Sequence, residues 1–205
     1  METLQINSII SRAQLILTQP KGCWDKIKEE STNAKSIMLS YGVPLIVVQS
    51  ICQLLLTAVI GFATPFGTIR APFFSSLIGQ IITAAILTAA VFVMGKIITV
   101  VAPKLGGRND YDKAVGWLAY SQTASALSGV VALLPIIGFA SILVVLYGLY
   151  ILFQGIDRMI GVQGTNRFVF LLVVAIAGAV CIGLPLFILT ALGLGATGAM
   201  PVPTM

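Results

Sequence analysis

FFSSLIGQIITAAILTAAVFVMGKIITVV, running from Phe73 to Val101, carries a single charge, Lys96, among apolar and small residues. A helix needs about 20 such residues to cross the hydrocarbon core of a bilayer. This stretch exceeds that length, so it predicts a membrane-spanning helix that tilts or protrudes. Lys96 lies near one end, where its stem can follow the helix while the ammonium reaches the interface.

Four further stretches read the same way. The first span runs from Met38 to Gly61, with Pro44 near its start. The third runs from Ala114 to Leu134. The fourth follows a short uncharged turn, Pro135 to Gly138, and continues to Ile156. The fifth runs from Phe168 to Leu192, with Pro185 predicting a kink. Hydrophobic residues make up 58% of the chain and charged residues 9%, too little polar surface for a soluble domain of this size. The fold class predicted is an all-α integral membrane protein with five transmembrane helices and an N-terminal amphipathic interfacial helix. Residues 1–36 form the cytoplasmic helical region, 37–192 the bundle, and 193–205 a loose extracytoplasmic tail rich in Gly, Ala and Pro.

In the N-terminal region, Ile6, Ile9, Ile10, Ala13, Ile16 and Leu17 recur at helical spacing. That stripe predicts an amphipathic helix lying at the interface, ended by Pro20 and Gly22. Trp24 to Glu30 reads as a second short helix. Its Trp24 serves either as an anchor at headgroup level or as a contact docked on the bundle's own loops. Residues 1–19 lack the pattern of a cleaved secretory signal, so the first span is expected to act as an uncleaved anchor.

Charge sets the orientation. Of the 12 Lys and Arg residues, only Arg70 falls in the turn between the first two spans. The other eleven lie in the N-terminal region and in the loops after the second and fourth spans, counted with the adjoining helix ends. The positive-inside rule then places the N-terminus in the cytoplasm and the C-terminus outside, in the inner (plasma) membrane of a cell. An odd number of spans requires the same separation of the ends. The formal net charge of +5 fits anionic lipid headgroups rather than nucleic acid.

The chain has no histidine, which removes His-based triads, His-ligated metals and His proton relays. Cys23, Cys52 and Cys181 stand apart, without a disulfide or metal pattern, and read as packed small residues. No cofactor is implied. Chemistry is left to two groups of polar residues. Gln49 and Gln53 share a face of the first span, and Gln122 and Ser125 lie on the third. They read as hydrogen-bonding contacts between helices or as the lining of a hydrated cavity for a small solute. Trp24, Lys26, Lys104, Arg108, Asp157 and Arg158 form the candidate cytoplasmic surface. Asp157, at a helix C-terminus where the dipole disfavours an anion, should pair with Arg158, Lys104 or Arg108. Asp110 and Asp112 sit where carboxylates cap the third span. Small residues every four positions, at Ser121-Ser125-Gly129, Ala175-Ala179-Gly183 and Ser75-Gly79-Thr83, predict close helix packing or self-association.

Several short patterns are similar to those of the Yip family, five-span membrane proteins named for binding Ypt/Rab GTPases. Gln19-Pro20 followed by Trp24 resembles a Pro-x-x-x-Trp entry. Tyr41-Gly42-Val43-Pro44 resembles the family's Asp-Leu-Tyr-Gly-Pro element, with Leu39-Ser40 standing where the acidic residue would be. Lys104-Leu105-Gly106-Gly107 with Ala119-Tyr120-Ser121 resembles the Gly-rich loop and the opening of the third span. Tyr147-Gly148-Leu149-Tyr150 with Gly155-Ile156 resembles the fourth span. The resemblance covers Ala13 to Leu192 and looks like a small prokaryotic member. It implies the five-span topology; the function expected is that of a non-enzymatic membrane-organising or adaptor protein acting through its cytoplasmic face, with membrane lipids, a membrane protein or a second copy as partners. The alternative is a small-solute or ion transporter, which with five spans would work as a homo-oligomer.

Overall fold

A computed structural model describes residues 2–29, 33–64, 67–134 and 140–191. The expected turn Pro135 to Gly138 and the tail 193–205 lie outside the described residues. Two helices, α1 (Glu2–Thr18) and α2 (Pro20–Glu29), precede the bundle. Then come α3 (Ala34–Ile60), the hairpin β1 (Phe62–Thr64) and β2 (Gly67–Ile69), and α4 (Phe73–Leu105). The chain continues through α5 (Tyr111–Ala132), α6 (Ser141–Ile160) and α7 (Asn166–Ala191).

Helices α3, α4, α6 and α7 are each long and apolar enough to cross a membrane. Phe74 and Phe187, 78% and 70% exposed, show what surrounds them: rings left bare in this way require lipid, not water. The 33 residues of α4 span roughly 50 Å at about 1.5 Å per residue, well beyond a hydrocarbon core of about 30 Å.

Helix α5 is long enough to cross but less apolar, and its position explains this. It is the central helix, packed against α3, α4 and α6. Neighbouring helices shield it from lipid, so it carries Ser121, Gln122, Thr123, Ser125 and Ser128. Its hydroxyls are satisfied mainly within the helix. Ser121 Oγ donates to Trp117 O at 2.7 Å and Ser128 Oγ to Ser125 O at 2.8 Å. Thr123 donates to Tyr120 O and also meets the Tyr41 hydroxyl of α3 at 2.8 Å. Of these hydroxyls, Thr123 makes the bond between helices.

Both span prolines follow a widened, π-helical turn. In α3 the turn covers Met38–Gly42, and the Val43 N–H bonds back to Met38 O immediately before Pro44. In α7 it covers Ala179–Gly183, just before Pro185. Proline has no N–H to give the preceding turn, and the extra residue absorbs the mismatch.

Two segments differ from the sequence reading. Helix α2 begins at Pro20 rather than Trp24, because proline's fixed φ suits a first helical position. The turn after α3 is an antiparallel hairpin pairing Phe62 with Ile69. Gly61, at φ 80, turns the chain out of α3 to reach it.

The N-terminus of α3 is capped twice. Asn33 accepts from the Lys35 N–H at 2.9 Å, and Asp112 of α5 accepts from the Ala34 N–H at 2.7 Å. Asp110 caps α5 itself, accepting from the Lys113 N–H at 3.0 Å. Of the two acidic residues read as caps of the third span, Asp112 therefore ties the first span to it. Asp112→Ala should lower stability by about 1–2 kcal/mol, the usual loss of a capping carboxylate. A denaturant titration in detergent checks this, and Asp112→Asn should recover part of the loss.

The small-residue stripes divide. Gly129 of α5 faces Cys52 and Gln49 of α3, with room for no more than van der Waals contact. Ala175, Ala179 and Gly183 of α7 are all exposed.

Candidate functional site

The polar end of the bundle is organised by α2. One face of this helix buries Pro20, Cys23, Trp24 and Ile27, and the other exposes Asp25, Lys26 and Lys28. Trp24 is fully buried, and its indole N–H donates to Ile151 O of α6 at 3.2 Å. It is a docked side chain, not a headgroup anchor. Trp117 of α5 donates to Leu152 O at 3.0 Å. That carbonyl is passed over by the helix, since the Ile156 N–H bonds to Phe153 O instead.

Gly155 makes this arrangement possible. A Cβ there would lie 2.6 Å from the Trp117 ring and 2.8 Å from the Trp24 ring. The two indoles therefore close over a bare stretch of α6 backbone. Tyr120 stands edge-on to Trp24 at 6.4 Å and packs on Tyr41 at 4.8 Å. The Arg12 guanidinium of α1 lies 5.4 Å from the centre of the Tyr120 ring and donates to its hydroxyl. The Tyr147 hydroxyl of α6 holds α1 from the other side, donating to Leu17 O at 2.7 Å. Pro20, Trp24, Tyr41, Tyr120, Tyr147 and Gly155, which carried the family resemblance, thus act together to join the N-terminal helices to the bundle.

Above the indoles the surface is charged. Arg158 Nε donates to Asp25 at 2.8 Å, and Arg167 Nη1 lies 3.8 Å from Asp157. Asp157 is therefore partnered by the start of α7, not by Arg158, Lys104 or Arg108. The chain folds back at Gly161, which brings the first turn of α7 to Asp157, and Arg158 pairs with Asp25 of α2. These pairs are partly exposed and are worth about 0–1 kcal/mol each. They set position more than stability.

Two left-handed glycines, Gly106 and Gly161, end α4 and α6. The loops they begin are tied by the Arg108 N–H to Ile160 O at 2.7 Å. Between α2 and these loops lies a cleft of about 330 Å³, lined by Asp25, Lys28, Gly106, Arg108, Asp157, Arg158, Gly161 and Gln163. Arg108, Asp157 and Arg158 were singled out from the sequence. Asp25, Lys28 and Gln163 were not. The i, i+3 spacing of Asp25 and Lys28, opposite the Trp24–Ile27 face, is the signal that could have found the first two. Lys26 and Lys104 are exposed but outside the lining. Lys96 lies over the Tyr111 ring, 4.2 Å from its centre, a cation–π contact that holds its ammonium.

The intramembrane group is spread out. Gln49 is half-buried against Gly129, Gln122 and Ser125 are half-buried on α5, and Gln53 is exposed on the outer face of α3. A separate apolar groove of about 170 Å³ runs between α3 and α4 and includes the buried Gln80. None of the four sequence candidates lines this groove or the polar cleft. Among the described residues, no three His, Cys, Asp or Glu side chains gather as a metal site would require.

A bundle of long apolar helices, bare toward lipid along its length and charged at one end, defines a multi-pass integral membrane protein. The chain belongs to the Yip1-domain family, whose model matches residues 14–196. No curated protein and no solved structure matches it closely enough to count as similar.

Proposed function

We propose that this Yip1-domain protein is a non-enzymatic membrane-organising adaptor, working through lipid and protein contacts at the charged end of its bundle. That end faces the cytoplasm of a cell bounded by the inner (plasma) membrane, by the eleven-to-one division of basic residues. The observation that carries the reading is the docking of α1 and α2. Arg12, Trp24 and the Asp25–Arg158 pair turn a polar N-terminal segment into a fixed surface beside the membrane. A prearranged surface loses little side-chain and loop freedom on binding, which favours association. Its partners are lipids and a membrane protein, and the exposed α7 stripe suits a second copy of the chain.

The transport alternative needs Gln49, Gln53 and Gln122 along one wet path, and Gln53 on the lipid-facing side argues against it. The test pairs two measurements. A photo-crosslinker placed at Lys26 or Lys104 in native membranes should capture a discrete lipid or membrane-protein adduct. Proteoliposomes of the full chain should leak small solutes no faster than empty vesicles. Gln49→Leu with Gln53→Leu should change neither result. A flux that this pair of substitutions abolishes would remove the adaptor as the sole role.

A further inference from the structure

The charged cleft is unbalanced in a specific way. Three cations and two carboxylates line it. Asp25 is taken by Arg158 at 2.8 Å, and Asp157 lies 3.8 Å from Arg167. Lys28 and Arg108 remain, one on α2 and one on the loop after α4. Neither side chain has a hydrogen bond or ion pair among the described residues. Like charges in a confined cleft repel unless an anion lies between them.

Arg108 is also held in place. Its stem lies across Gly161, where a Cβ would be 3.2 Å from Arg108 Cγ and 3.4 Å from Nε. Its backbone N–H is fixed to Ile160 O at 2.7 Å. The Arg108 stem is therefore laid against the Ile160–Gly161 backbone, and it ends in the planar fork that matches phosphate oxygens. The backbone itself cannot cradle the anion. The N–H groups of Gly106, Gly107, Arg108 and Gly161 all bond to carbonyls of the chain. Recognition falls to side chains: Lys28 as a point charge, Arg108 as a fork, and Gln163 as a neutral donor.

We infer that the cleft between α2 and the loops after α4 and α6 binds a phosphomonoester dianion through Lys28 and Arg108. Two cations unpaired among the described residues match two negative charges. The volume of about 330 Å³ admits a phosphorylated headgroup. The same chemistry is offered by a phosphatidic-acid-type lipid at the membrane edge and by free phosphate. The inference rests on reading the charged end as the working face.

The test uses the full chain in phosphatidylcholine nanodiscs. Three probes are titrated: dioctanoyl phosphatidic acid, inorganic phosphate, and dioctanoyl phosphatidylcholine as the zwitterionic control. Tryptophan fluorescence reports binding, since Trp24 lies on the helix that carries Lys28. Lys28→Gln and Arg108→Gln should each weaken binding roughly tenfold, the loss expected for one charge-assisted contact. Arg108→Lys should fall between, and Arg70→Gln, at the opposite end, should change nothing. Phosphatidic acid binding tenfold tighter than phosphate assigns a lipid source, and comparable binding assigns free phosphate. Phosphate and phosphatidic acid binding no better than the control would overturn the inference. So would affinities that all variants retain. Should a glutamine variant fold poorly, Arg108→Lys decides alone. Gln49-dependent flux with phosphate binding intact would remove only the adaptor reading, whereas silent probes with no flux would remove only this site.

Discussion

Gly155→Ala is expected to displace both tryptophans at once. The added methyl would sit 2.6 Å from the Trp117 ring and 2.8 Å from the Trp24 ring, and neither indole can flex away as a methionine would. Overpacking of this kind costs about 1–3 kcal/mol. If the rings shift, their N–H bonds to Ile151 O and Leu152 O are lost, adding about 1 kcal/mol for Leu152 O, which the Ile156 N–H passes over. The sum is a loss of about 2–4 kcal/mol. The chain contains two tryptophans, and both flank this glycine, so intrinsic fluorescence reports this site alone. The variant should show a red-shifted emission and a lower denaturation midpoint. Unchanged emission would mean that α6 moves away as a unit, and that the indoles do not depend on Gly155.

Trp24→Ala should release the N-terminal helices while leaving the spans folded. Trp24 is fully buried, and removing such a side chain costs about 3–5 kcal/mol where the site cannot collapse. Few other large contacts hold α2, whose remaining buried residues are Pro20, Cys23 and Ile27. The energy should therefore appear as local opening rather than global unfolding. Trypsin should then cut at Lys21, Lys26 and Lys28 in native-like detergent, while the Lys96 site inside α4 keeps its protection. Trp24→Phe keeps most of the packing and loses only the bond to Ile151 O, so it should open far less. Equal cleavage of the Trp24→Ala and unsubstituted chains would show that Arg12 on Tyr120 and the Asp25–Arg158 pair hold the segment without the indole.

Much of this was readable from composition along the chain. A run such as Phe73 to Val101 has no state in water that it prefers to lipid, whatever its neighbours do. The order of spans, the sidedness of the charges and the capping role of Asp110 follow from single stretches considered alone. The site was harder to read, for reasons visible at particular residues. Trp24 has the same spacing whether it anchors in headgroups or docks on α6. The choice depends on Gly155, more than a hundred residues away, leaving a space. Asp112 looks like a cap for its own helix, yet its carboxylate turns to Ala34 because α3 begins beside it. Asp157 was expected to meet Arg158, but the fold places Arg167 next to it and gives Arg158 to Asp25. Gln53 follows Gln49 at i+4, and a helix face is not a helix partner: α5 covers Gln49 and leaves Gln53 bare.

Hydropathy and charge decided alone which segments leave water and which end of the bundle is basic, because transfer free energies add locally, residue by residue. Pair identities came only from the folded bundle. The ion pairs, the two indole bonds and the cleft that leaves Lys28 and Arg108 unmatched among the described residues all join segments distant in the chain. Contact energies of that kind depend on separations of a few ångströms between groups whose spacing along the chain says nothing about their distance in space.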